Sequence, residues 1–143
     1  MKYVLDTNIV SQAMRGNRRV IERLSAAEHD QRLISAVTFA EIEYGVARLP
    51  KVPHGRSRRR EELKALFDAL LTCLDVLAWD RAAAGRYATA RVECEEAGRK
   101  VDQADLMIAA HAASIGATLV TANKALLRRP KARSPPAAVD WLA

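Results

Sequence analysis

Short apolar runs recur along this chain with helix-length segments between them, and that alternation narrows its possible folds more than any other feature. Residues 2–5 read as a strand, 33–35 as a short buried strand, 73–77 as another and 118–121 as a fourth. Helical patterns fill the gaps, over residues 8–14, 18–28, from Thr38 onward, 59–71, from Asp80 to about Ala97 and from Asp102 to about Ile115. Strands that alternate with helices fit a parallel sheet covered by helices. The predicted class is therefore α/β, with a central parallel sheet flanked by helices. A last short strand is expected near Val139, after a loop-like tail through Pro135 and Pro136.

Punctuation supports this division. Gly16-Asn17 marks a break, while Gly98 and Gly116 stand where helices should stop. Thr38-Phe39-Ala40-Glu41 fits a capping box, and Gly45 in the same helix suggests close packing or a backbone approach. Residues 51–57, with Pro50, Pro53 and Gly55, read as a loop. No internal repeat or linker breaks the 143 residues, so one domain spanning 1–143 is expected. No apolar stretch reaches the roughly 20 residues that cross a bilayer, and the first residues lack a secretory pattern. Cys73 and Cys94 are too few for a disulfide framework and read as buried free thiols, which suits a reducing cytoplasm.

Within this frame, Asp6 is out of place as a strand residue. It ends the first apolar run, and Asp is depleted in strands. Ligands of α/β folds bind outside the carboxyl ends of the strands. Asn123 follows its strand in the same way, and Glu41 and Asp105 fall in the first turns of predicted helices. Strand ends and helix starts meet at one edge of a parallel sheet, so these four can converge. Each also has a plain reading: Glu41 as the partner of Thr38 in the capping box, Asp105 opposing a helix dipole, Asn123 shaping a turn.

Converging carboxylates repel one another, and a hard cation removes that penalty. Mg²⁺ needs one or two protein carboxylates and keeps several waters. The net charge of +6 is clustered, at Arg15, Arg18 and Arg19, at Lys51, Arg56, Arg58, Arg59 and Arg60, and at Arg128, Arg129, Lys131 and Arg133. Such clusters hold phosphates or simply solvate loops and helix ends. Acids beside basic patches suggest metal-assisted cleavage of a nucleic-acid backbone. The histidines His29, His54 and His111 show no metal spacing; His111, amid alanines, reads as packing or helix surface.

Four segments in this order resemble the PIN-domain family, and more narrowly the VapC ribonuclease toxins. They are Tyr3-Val4-Leu5-Asp6-Thr7-Asn8-Ile9, Ser35 through Gly45, Asp105 through Ala112, and Gly116 through Asn123. The resemblance implies a PIN-like α/β/α sandwich and a Mg²⁺- or Mn²⁺-dependent endoribonuclease. It implies Asp6 and Asp105 as the main metal ligands, Glu41 completing the cluster, and Asn123 where relatives carry Asp or Asn. Thr7 and Asn8 would support Asp6, Asp102 stays a helix cap, and Glu43 matches no family position. Implied partners are RNA as substrate, a second copy in a homodimer, and a cognate VapB-type antitoxin in a hetero-oligomer. Operator DNA would be reached only through that antitoxin. The alternative is a non-catalytic PIN-like module binding RNA or protein. A receiver-type phosphorylation domain fits less well, because it wants an acid pair at the first strand's end.

Overall fold

The computed structural model describes residues 1–50, 59–127 and 137–143. The chain forms β1 (Lys2–Leu5), α1 (Thr7–Met14), α2 (Arg18–Ala26), β2 (Gln31–Ser35), α3 (Ala36–Ala47) and α4 (Arg59–Leu70). It continues through β3 (Asp75–Leu77), α5 (Arg81–Glu96), α6 (Gln103–Ser114), β4 (Thr118–Val120), α7 (Lys124–Leu127) and β5 (Ala138–Val139). The strands make one five-stranded sheet in the order β3-β2-β1-β4-β5, and every pairing is parallel. The expected architecture is thus observed.

Alternation along the strands sorts side chains between two cores. Leu5, Ile34 and Val120 pack with Ile9, Val10, Val20, Leu24, Ile42 and Phe67 from α1 to α4. Their neighbours Val4, Leu33 and Leu119 face the other way, against Ile108, Ala109 and Ala112 of α6. α5 lies along α6. At the chain's end Trp141 returns to β1, its ring 5.4 Å from that of Tyr3.

Aspartates start three of the helices. Asp6 caps α1 through Thr7 N, Asp80 caps α5 through Ala83 N, and Asp102 caps α6 through Ala104 N and Asp105 N. Gly98 and Gly116, at φ 65° and 66°, close α5 and α6 in the left-handed region that favours glycine.

The capping box is a correction. Ser35 caps α3 by accepting Val37 N–H at 3.1 Å, so the helix begins before Thr38 and Glu41 falls in its second turn. The Thr38-to-Glu41 spacing imitates a capping box, which drew the expected cap three residues too late. Gly45 is also a correction: a methyl group there would meet nothing within 4 Å, so no backbone approach requires it. α7 escaped sequence reading because four residues carry no periodicity. β3 begins later than expected because Cys73 N and Leu74 N still bond back to Leu70 O. Cys73 and Cys94 are free but only half-buried. The expected loop over 51–57, the basic residues Lys51, Arg56, Arg58, Arg128, Arg129, Lys131 and Arg133, and the tail at Pro135-Pro136 lie outside the described residues.

Candidate active site

The carboxyl edge of the sheet gathers the polar residues. Asp6, directly after β1, is fully buried. Its Oδ1 accepts Thr7 N–H at 2.8 Å and its Oδ2 accepts the Thr121 hydroxyl at 2.8 Å. Burial pushes its pKa up, and these two hydrogen bonds pull it back, with Asp102 adding repulsion.

Asp105, in the first turn of α6, receives Asn123 Nδ2 on its Oδ2 at 3.0 Å. Its pKa is raised to about 6, first by burial and then by the negative charge of Asp6, Asp102 and Glu41. The Asn123 amide offsets part of that rise. Glu41 accepts the Thr7 hydroxyl on Oε1 at 2.6 Å, and the Thr38 hydroxyl lies 3.2 Å from that of Thr7. Thr7 therefore joins the first strand's end to α3: its amide holds Asp6 and its hydroxyl holds Glu41.

Asp6, Glu41, Asp105 and Asn123 are thus brought to one edge, within electrostatic or hydrogen-bond reach of Asp105. Among the described residues no three His, Cys, Asp or Glu side chains converge closely enough to hold an ion between them. The donor set still suits a hard cation such as Mg²⁺, which needs only one or two carboxylates and takes its remaining ligands from water. Burial raises the Asp105 pKa most and the charge of Asp6, Asp102 and Glu41 adds to it; a bound cation would offset both.

Thr121 and Ser35 were not singled out by the sequence. Thr121 is fully buried and looks like one more β-branched strand residue. Its position two residues before Asn123 was the available signal, since hydroxyls bond to backbone two residues on. Ser35 Oγ lies 2.8 Å from Nδ1 of His111, whose imidazole is only 2% exposed. His111 belongs to this packing, edge-on to Trp79 at 5.3 Å. Asn8, expected to support Asp6, is exposed instead, and the Asp6 oxygens are held by Thr7 and Thr121. Arg99 bonds through Nη2 to the Ala125 carbonyl, which places a guanidinium beside the turn that carries Asn123.

The PIN domain model matches residues 3–132. The chain belongs to the PIN-domain family. It is 32% identical to Ribonuclease VapC2 of Rickettsia felis over 127 residues, 86% of this chain and 87% of that protein. It is also 32% identical to the tRNA(fMet)-specific endonuclease VapC of Shigella flexneri over 123 residues, with the same coverage. Among solved structures, VapBC2 from Rickettsia felis bound to a DNA fragment from its promoter superposes with a TM-score of 0.84. That match is 28% identical and covers 99% of each chain. DNA-bound VapBC from Salmonella typhimurium gives 0.81 at 29% identity, covering 99% of this chain and 98% of that one. No helix among the described residues is long and apolar enough to cross a membrane.

Proposed function

We propose that this PIN-domain protein is a VapC-type toxin, an endoribonuclease that hydrolyses RNA phosphodiester bonds at the Asp6–Asp105 edge with Mg²⁺ or Mn²⁺. The observation that carries this reading is the gathering of Asp6, Glu41 and Asn123 around Asp105, which Asn123 holds at 3.0 Å and whose pKa is raised to about 6 first by burial and then by the charge of Asp6, Asp102 and Glu41. Asp6 and Asp105 are the groups to hold the ion, each keeping lone pairs beyond its hydrogen bonds. Glu41, held by Thr7 and not sharing a cage with the others, acts through water, orienting or accepting a proton from the nucleophile. Asn123 orients Asp105. When bound, the cation supplies Lewis acidity for activating water and for polarising a phosphoryl oxygen.

The relatives support a VapB-type antitoxin and a toxin–antitoxin assembly that meets operator DNA through the antitoxin; a second copy in a homodimer is implied by the family resemblance alone. The two solved structures named above are VapBC complexes bound to DNA. Transfer RNA is the substrate to test first, because the Shigella relative is named a tRNA(fMet)-specific endonuclease. The test incubates antitoxin-free protein with total transfer RNA and maps new RNA ends. Internal cleavage that needs Mg²⁺ or Mn²⁺, stops with chelator and is absent in Asp105→Asn supports the reading. Cleavage of no RNA class with either metal would leave a non-catalytic PIN-like module.

A further inference from the structure

The turn between β4 and α7 touches both proposed metal ligands. Thr121 Oγ1 donates to Asp6 Oδ2 at 2.8 Å and accepts Asn123 N–H at 3.0 Å. Asn123 Nδ2 donates to Asp105 Oδ2 at 3.0 Å. Its Oδ1 accepts Ala125 N–H at 2.9 Å, which fixes the end of the amide that faces Asp105. Asn123 O accepts from Leu126 N and Leu127 N, so the residue is also anchored as the start of α7.

We propose that the Thr121–Asn123 turn positions Asp6 and Asp105 for a single divalent cation, and that its locked amide keeps a second cation from binding. The inference rests on the metal-dependent reading given above. A hard cation takes oxygen ligands. Asn123 presents N–H donors towards Asp105, while its side-chain oxygen is turned to Ala125 N–H. An aspartate in its place would present oxygen, and its charge beside Asp105 would call for another cation. Thr121 acts on the other carboxylate. With Thr7 N–H on Oδ1 and the Thr121 hydroxyl on Oδ2, Asp6 cannot rotate, and only its remaining lone pairs can meet an ion.

The experiment measures Mn²⁺ uptake by the purified full chain, with free Mn²⁺ read by electron paramagnetic resonance and folding checked by thermal melting. The wild type is expected to take one Mn²⁺ per chain, and Asn123→Asp two. Thr121→Val is expected to bind its one Mn²⁺ about tenfold or more weakly, in the range seen when groups that orient metal ligands are removed. Thr121→Ser, which keeps the hydroxyl, should restore affinity. If Thr121→Val does not fold, Asn123→Ala takes its place and should also weaken binding. Two ions on the wild type, or one on Asn123→Asp, would overturn the single-cation inference. Unchanged affinity in Thr121→Val, or in Asn123→Ala as its substitute, would overturn the positioning role. If the wild type binds no Mn²⁺ at all, the metal-dependent reading itself falls, a result distinct from either of these.

Discussion

Two polar networks sit among the strand ends of this sheet, and they are built for opposite charge states. One joins Ser35, His111 and Trp79 beside β2 and β3. The Ser35 hydroxyl accepts Val37 N–H and shares a 2.8 Å hydrogen bond with His111 Nδ1. A backbone hydrogen bond with Ala78 also engages the imidazole, and burial holds its pKa below the ordinary value. This network is neutral, buried and satisfied. The other network, Asp6–Thr121–Asn123–Asp105 with Glu41, is also hydrogen-bonded, yet it keeps excess negative charge. A satisfied neutral network stabilises a core, whereas uncompensated like charge leaves a site that a cation improves. Equal hydrogen bonding therefore does not mean equal purpose; the residual charge separates scaffold from site.

The largest expected effect breaks the charged side. Asp105→Asn should lower RNA cleavage by more than the roughly 100-fold upper range typical of groups that merely support metal ligands. In metal-free protein the same change should raise the melting temperature, because a repelled carboxylate is removed. Loss of activity together with a lower melting temperature would place Asp105 on the structural side of the comparison instead.

The next breaks the neutral side. His111→Leu leaves the Ser35 hydroxyl without its buried partner and should cost about 1–3 kcal/mol in urea unfolding. Mn²⁺ affinity of the folded fraction should stay as in the wild type. A matching loss of Mn²⁺ affinity would merge the two networks into one.

Changing pH sharpens the contrast, because the two networks respond in opposite directions. The Asp105 pKa rises from its ordinary 3.8 to about 6 in the fold, so the native state binds its proton more tightly. Its contribution to stability is full below pH 3.8 and is lost as pH rises through about 6. The His111 pKa falls below its ordinary 6.5, so its contribution is present above pH 6.5 and is lost as pH falls through the folded value. Melting curves across this window should show Asp105→Asn flattening the loss at rising pH and His111→Leu flattening the loss at falling pH. Added Mg²⁺ should also remove the loss at rising pH, by neutralising the charge that burial leaves exposed to repulsion.

The smallest effect lies outside both networks. Gly45→Ala, in the interior of α3 with open space around it, should stabilise the protein by about 0.5–1 kcal/mol in urea unfolding. RNA cleavage should not change, so the variant serves as a control for effects transmitted through α3.

Much of the fold was legible because its signals are local. Asp80 and Asp102 announce α5 and α6, and Gly98 and Gly116 end them, within a turn of the residues they affect. The acids at the edge were legible as anomalies: an aspartate after a strand and another in a helix's first turn. Other features were hidden by competing local readings. Ser35 lost the cap of α3 to Thr38, since Thr38 and Glu41 stand at the spacing of a capping box. Thr121 passed as a strand residue, although its hydroxyl reaches an acid 115 positions away. His111 passed as packing, and the bond that defines it spans 76 positions.

By itself the sequence determined where strands and helices lie and which residue types stand at their junctions, because those choices are made by neighbours a few positions apart. The order β3-β2-β1-β4-β5 was decided only in three dimensions. That order puts β4 beside β1, and so Thr121 and Asn123 against Asp6 and Asp105. The holds on Asp6 Oδ2 and Asp105 Oδ2 by Thr121 and Asn123 are contacts between distant residues that no local pattern encodes.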